Sequence, residues 1–286
     1  MRADQINIRD PFVLVENGKY YLYGTRAADF GRKTGGFDVY VSVDLAEWSG
    51  PFACFDSERF GLNREVNWAP EVHCYQGSYY MFASFTRENG LRGTYALKAD
   101  CPLGPFVPHS NGALTPDAWE CIDGTFYCEN GVPYLVFCHE HTQAVDGEIC
   151  YMPLSSDLKE SAGEAKLIFT ASSPEWADRK KIFRRFQHYI SDGPFLYRTS
   201  NGTLLMLWST YIKHKYAQCI ARSTNGSITG VFEHLPPLVT DNGGHGMIFR
   251  SGSDLMLTFH SPNQTGLERP RFVKLKDCGD TLRLVP

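Results

Sequence analysis

One pattern recurs five times along this chain, and it constrains the fold more than any other feature. Each copy holds an acid or small residue, an apolar strand, a turn rich in Asn and Gly, and a second, aromatic strand. The copies begin at Asp10, Ala69, Asp123, Asp192 and His245, spaced by 59, 54, 69 and 53 residues. The turns are Asn17-Gly18, Gln76-Gly77, Asn130-Gly131, Asn201-Gly202 and Ser251-Gly252. Asn-Gly between apolar runs predicts a type I′ hairpin, because that turn needs positive φ at both central residues. Each interval leaves room for two more strands, such as Phe37–Val43, Thr94–Lys98, Glu148–Met152, Ala217–Arg222 and Arg271–Leu275. Four strands in each of five units predict an all-β chain, a five-bladed β-propeller with four antiparallel strands per blade. A sandwich is the competing architecture, but it gives no reason for near-equal repeats. The reading makes residues 1–286 a single domain, within the range that all-β folds reach as one unit. The longest irregular insertion, 171–190, is expected to hold a short helix after Ser173-Pro174.

Composition narrows the classes of function. The chain has 43% hydrophobic and 21% charged residues, which excludes disorder, and no apolar run approaches a membrane span. A net charge of −4 gives no reason to expect a nucleic-acid or membrane partner. The local exception is Arg179, Lys180, Lys181, Arg184 and Arg185, read as a solvated or oligomer-contacting insertion. Nine cysteines include no Cys-x-x-Cys pair, so neither a zinc site nor a redox centre is indicated. The first residues, MRADQINIRDPF, lack a charged-then-apolar export segment. With reduced thiols, this points to the cytoplasm.

In a propeller the first strand of every blade lines the central channel, so equivalent residues meet although far apart in sequence. Asp10, Asp123, Asp192 and His245 then crowd round one axis, with Ala69 in the second blade's place and Glu71 two residues on. Like charges at such range push pKa values apart, separating a proton donor from an acceptor. Acid–base hydrolysis of an acetal requires that arrangement.

These residues resemble glycoside hydrolase family 43 over essentially the whole chain. Arg9-Asp10-Pro11 looks like the family's general-base motif, and Trp68-Ala69-Pro70-Glu71 like its second-blade signature. Ile122-Asp123-Gly124 resembles the segment whose carboxylate orients the acid and raises its pKa. Gly243-Gly244-His245-Gly246 resembles the segment whose His reaches the channel beside a calcium ion or a water. The resemblance implies a five-bladed propeller, inversion at the anomeric carbon and no required cofactor, with a calcium ion in the channel as an option, met by His245 through water. It implies Asp10 as base, Asp192 as acid and Asp123 as orienter, with oligosaccharides bearing L-arabinofuranose or D-xylose as substrates.

The chain departs from the family at the acid, where Asp192-Gly193-Pro194 stands in place of a Glu triplet. Glu140, in Phe137-Cys-His-Glu-His, is the alternative acid or a substrate-binding group. Trp68 is expected to offer an apolar face to a sugar ring, and Arg269 and Arg271 to reach sugar hydroxyls. The chain ends soon after the fifth repeat, which favours an arabinofuranosidase-like activity; without an export signal, exo action on imported short oligosaccharides is expected. A sugar-binding propeller without catalysis, xylosidase or galactofuranosidase specificity, a protein-interaction propeller and a retaining fructose-transferring propeller are the alternatives. The oligomeric state is not legible.

Overall fold

The computed structural model describes residues 1–285 apart from 33–34, 63–64 and 183–185. It is a five-bladed propeller of four-stranded antiparallel sheets. Blade I holds β1 (Ile8–Glu16), β2 (Lys19–Arg26), β3 (Gly36–Ser42) and β4 (Ser49–Asp56). Blade II holds β5 (Asn67–Tyr75), β6 (Ser78–Thr86), β7 (Arg92–Ala99) and β8 (Val107–Pro108). Blade III holds β9 (Cys121–Glu129), β10 (Val132–His139), β11 (Glu148–Pro153) and β12 (Lys166–Thr170), with the short helix α1 (His141–Ala144) after β10. A two-stranded hairpin, β13 (Lys180–Ile182) and β14 (Phe186–His188), separates blades III and IV. Blade IV holds β15 (Asp192–Arg198), β16 (Leu204–Ile212), β17 (Lys215–Ser223) and β18 (Phe232–Val239). Blade V holds β19 (Gly244–Ser251), β20 (Asp254–Ser261), β21 (Arg269–Asp277) and β22 (Leu282–Leu284).

The turns explain the register. Asn17-Gly18, Gln76-Gly77 and Asn130-Gly131 all carry positive φ at both residues, as a type I′ turn demands. The fifth hairpin differs: Ser251 pairs with Asp254, and only Gly252 of the two loop residues has positive φ, as in type II′. The fourth is a longer loop between Arg198 and Leu204. The helix expected after Pro174 does not form; turns lead into the β13–β14 hairpin instead. Arg184 and Arg185 of the basic run lie outside the described residues, and Arg179 rests its guanidinium 5.3 Å from the Tyr189 ring.

Apolar layers lie between adjoining blades. Phe82, Leu135 and Phe137 pack between blades II and III, Val136, Met206 and Trp208 between III and IV, and Leu207, Ile248 and Leu257 between IV and V. The second strands are buried on both faces, which is why β16 opens on an unbroken apolar run from Leu204 to Trp208 rather than an alternation. The ring closes without strand exchange. The Asn7 amide donates to the carbonyls of Gly266 and Glu268, and Arg269 Nε donates to Asp4 O at 3.0 Å. All nine cysteines are free. Among the described residues no helix is long and apolar enough to cross a membrane.

Candidate active site

Near its channel end each inner strand carries a β-bulge, between Arg9 and Phe12, Trp68 and Glu71, Ile122 and Thr125, Asp192 and Phe195, and Gly244 and Met247. One residue of each bulge is left-handed: Asp10 (φ 53°), Ala69 (46°), Asp123 (56°), Gly193 (50°) and His245 (54°). A bulge re-aims a side chain out of the pleat, here towards the axis. Asp and His tolerate this region better than most residues, yet left-handed non-Gly residues still cost of order 1–3 kcal/mol each and cluster at functional sites.

The buried N–H that each bulge frees from the strand ladder is met by the blade before it. Ala69 N–H donates to Thr25 Oγ1 (2.7 Å), Asp123 N–H to Ser84 Oγ (3.0 Å), His245 N–H to Ser209 Oγ (2.7 Å) and Asp10 N–H to His260 Nδ1 (3.1 Å). Those acceptors occupy one register position on the second strands, opposite Arg9, Trp68, Asp192 and Gly244. In blade III the position is Cys138, opposite Ile122. There the Gly193 N–H donates instead to Asp123 Oδ2 (3.0 Å).

This register corrects one sequence expectation. Asp192 is not the equivalent of Asp10 and Asp123; it precedes the left-handed position, which is Gly193. A Cβ on Gly193 would lie 2.6 Å from His245 Cδ2, so no side chain fits there and the carboxyl comes from the residue before. It still reaches the cavity, and unlike Asp10 and Asp123 it is partly exposed to it.

The environments of the three carboxyls differ. Burial alone would raise Asp10, but His245, Arg9 and His260 outweigh it with a hydrogen bond from Thr25, holding the carboxyl at about 2. Its Oδ2 accepts from Thr25 Oγ1 at 2.7 Å, and its Oδ1 lies 3.1 Å from His245 Nδ1 and 3.7 Å from Arg9 Nε. Burial pushes Asp123 up, with Asp192 and Asp10 adding to it against the pull of His245. Burial likewise raises Asp192, although His245 and the Tyr216 hydroxyl, 2.9 Å from its Oδ2, oppose the rise. His245 is held above the ordinary imidazole range: burial disfavours its charge, but Asp10, Asp123 and Asp192 outweigh burial. Burial drives His260 down to about 3, so its neutral ring accepts the Asp10 N–H. One carboxylate held ionised and two whose proton affinity is raised therefore meet at one place.

They open on a cavity of about 250 Å³. One wall is a column in which Arg9 covers Phe30 (3.7 Å), Phe30 stacks on Trp68 (5.1 Å, 23°) and Arg92 lies over Trp68 (4.6 Å). Trp68 thus lines the cavity but spends its ring faces on protein groups, and the open apolar face expected for a sugar is not there. Glu140 also lines the cavity. Its carboxylate contacts Arg92 Nη2 (2.7 Å), His141 Nε2 (2.9 Å) and Thr142 Oγ1. Burial would raise it, but His141 and Arg92 hold it at about 2, so it is a poor proton donor. Arg269 and Arg271 do not line the cavity. Arg269 is tied to Asp4 O and Glu268 O in the ring closure, and Arg271 is exposed on β21.

Calcium takes about six to eight oxygen ligands. Among the described residues no group of three or more His, Cys, Asp or Glu is arranged to hold a metal ion. Beside His245 the carboxylate oxygens already face Thr25, Gly193, Tyr216 and the imidazole itself. The residues present do not fit a calcium centre at His245, and no step below uses one. Sequence reasoning missed Thr25, Phe30, Arg92, His141, Tyr211 and Tyr216. Only Thr25 left a signal, as one of the polar residues recurring where the second strands reach the channel.

The sequence profile of glycosyl hydrolases family 43 matches residues 5–276. The fold superposes on the endo-arabinase of Bacteroides thetaiotaomicron with a TM-score of 0.89, at 35% identity over 96% of both chains. It superposes on a thermostable family-43 glycoside hydrolase with a TM-score of 0.84, at 24% identity over 98% of this chain and 93% of that one. A Bacteroides ovatus protein named xylosidase/arabinosidase is 26% identical over 134 residues, 41% of this chain, and the match spans only 41% of that protein's length. With the whole repeat matched and the three carboxyls gathered at the channel mouth, the chain belongs to glycosyl hydrolases family 43.

Proposed function

We propose that the protein is an inverting glycosidase that removes terminal L-arabinofuranosyl, or D-xylosyl, units from plant-type oligosaccharides. The observation carrying this reading is the split among neighbouring carboxyls, Asp10 at about 2 and Asp123 and Asp192 raised, around one small cavity. Asp10, ionised and fixed by Thr25, takes the proton from the attacking water. Asp192 donates its proton to the leaving oxygen. The Tyr216 hydroxyl occupies its Oδ2, which leaves Oδ1 to carry that proton. Asp123 accepts the Gly193 N–H and so holds the peptide joining Asp192 to Gly193. His245, 3.1 Å from Asp10 Oδ1 and 3.8 Å from Asp123 Oδ2, stands between those two carboxyls. A cavity of about 250 Å³, below the roughly 300–1,000 Å³ of drug-sized sites, favours one terminal ring over a bound polymer.

The test is a panel of aryl furanosides and pyranosides beside natural oligosaccharides. Asp10→Asn should lose about 10³-fold in kcat, within the range for a removed acid–base group. Asp192→Asn should lose less on nitrophenyl glycosides, whose leaving group needs little protonation, than on oligosaccharides. NMR of the first-released anomer should show inversion. Retention of configuration, or full activity in Asp10→Asn, rejects the reading; a dead Glu140→Gln beside a normal Asp192→Asn moves the acid to Glu140.

A further inference from the structure

We infer that Cys138 is a positioning residue: its thiol leaves the Gly193 N–H to the Asp123 carboxylate, and that hand-over fixes the peptide bearing Asp192. The inference rests on the hydrolase reading above for its catalytic consequence, and on geometry for the rest. In the other four blades the residue at this register position is Thr25, Ser84, Ser209 or His260, and each accepts a bulge N–H across the blade boundary at 2.7–3.1 Å. Cys138 is fully buried at the same position, and sulfur is a weak acceptor. A buried N–H without a partner is rare and costly. The Gly193 N–H therefore goes to Asp123 Oδ2, 70 residues away in sequence, at 3.0 Å. Burial and the nearby Asp123 and Asp192 keep the thiol protonated and neutral, so it does not compete for that donor. The departure from the repeat thus falls at the blade boundary where the candidate acid stands.

A hydroxyl at 138 would take the N–H back, as it does in its neighbours. Asp123 would lose a hydrogen bond that favours its ionised form and would hold the proton it shares with Asp192. The groups facing Asp123 are Asp10, Asp192 and His245, and those facing Asp192 are Tyr216, His141, Glu140 and His245. The proton would move from Asp192 to Asp123, leaving the acid ionised at lower pH.

The experiment compares wild type, Cys138→Ala and Cys138→Ser. Only three Asp–Gly peptides exist, at 123–124, 146–147 and 192–193, so pairing 13C-carbonyl Asp with 15N-Gly reduces the spectrum to three amides, and Gly124→Ala and Gly147→Ala assign the third to Gly193. In wild type and Cys138→Ala that amide should titrate with the Asp123 carboxyl; in Cys138→Ser it should not. Cys138→Ser should lose about tenfold in kcat, part of what a positioned general acid contributes, with KM within about twofold and the basic limb of the pH profile moved to lower pH. Cys138→Ala should stay near wild type. If the serine protein fails to fold, Cys138→Thr, the residue blade I uses, replaces it. An amide that titrates alike in all variants, or equal kcat and pH profiles for Ser and Ala, overturns the inference. Wild type that turns over no glycoside while the amide pattern holds rejects the hydrolase reading alone.

Discussion

At the turn end of the inner strands, Asn17-Gly18, Gln76-Gly77 and Asn130-Gly131 hold positive φ in open solvent. At the channel end of the same strands, Asp10, Ala69, Asp123 and His245 hold it while buried. The turn end uses residues for which this conformation is cheap, and nothing packs against them: a Cβ on Gly18, Gly77 or Gly131 would meet no atom within 4 Å. The channel end places Asp, Ala and His there and surrounds them with fixed partners. A local φ angle thus serves chain reversal at one end and the aiming of charged side chains at the other. The second use is affordable because each bulge N–H is satisfied by an adjoining blade.

The widest contrast between the ends should come from alanine at Gly193 and at Gly18, both at positive φ. Gly193→Ala collides with His245 and should cost about 2–4 kcal/mol by strain and overpacking together. It should also lose about 10²-fold in kcat, since the acid and His245 both shift. Gly18→Ala, in open space, should cost about 1 kcal/mol and leave activity unchanged. Urea melts and kcat measured on the two proteins decide this, and equal activity loss in both would erase the distinction between the ends.

A smaller effect separates the ends by pH. Asp10 binds its proton more weakly folded, at about 2, than unfolded, near 3.9. Its ionised form therefore stabilises the fold above the unfolded value, and the contribution vanishes as pH falls through about 2. It should amount to about 2–3 kcal/mol. Unfolding free energy should drop over that window more steeply in wild type than in Asp10→Asn. Asn17→Asp at the exposed turn end should leave the drop over that window within about 0.5 kcal/mol of wild type. Parallel pH curves for wild type and Asp10→Asn would show that the channel end does not hold Asp10 as described.

Much of this was readable because it is local. Alternating and doubly buried strands, Asn-Gly turns and five repeats specify the blades, and the repeat puts Asp10, Asp123 and His245 at one level of the channel. The misreadings share a cause. Asp192 was aligned one residue off because the repeat does not show that His245 excludes a side chain at Gly193. Trp68 read as an open platform because its stacking partners, Phe30 and Arg92, come from other segments. Arg269 read as a sugar contact because the chain gives no hint that its guanidinium reaches the N-terminal segment. Tyr216 sits on a third strand and carries no motif at all.

The amino-acid order by itself therefore determined the strands, the turns, the number of blades and the residues that enter the channel, since these follow from backbone conformation and hydrophobic period over a few residues. Only the closed ring decided which carboxyl is held ionised, which two bind a proton more tightly than usual, and that Gly193 N–H goes to Asp123 beside Cys138. A proton affinity depends on burial and on charges within a few ångströms, and in this ring those neighbours arrive from every blade.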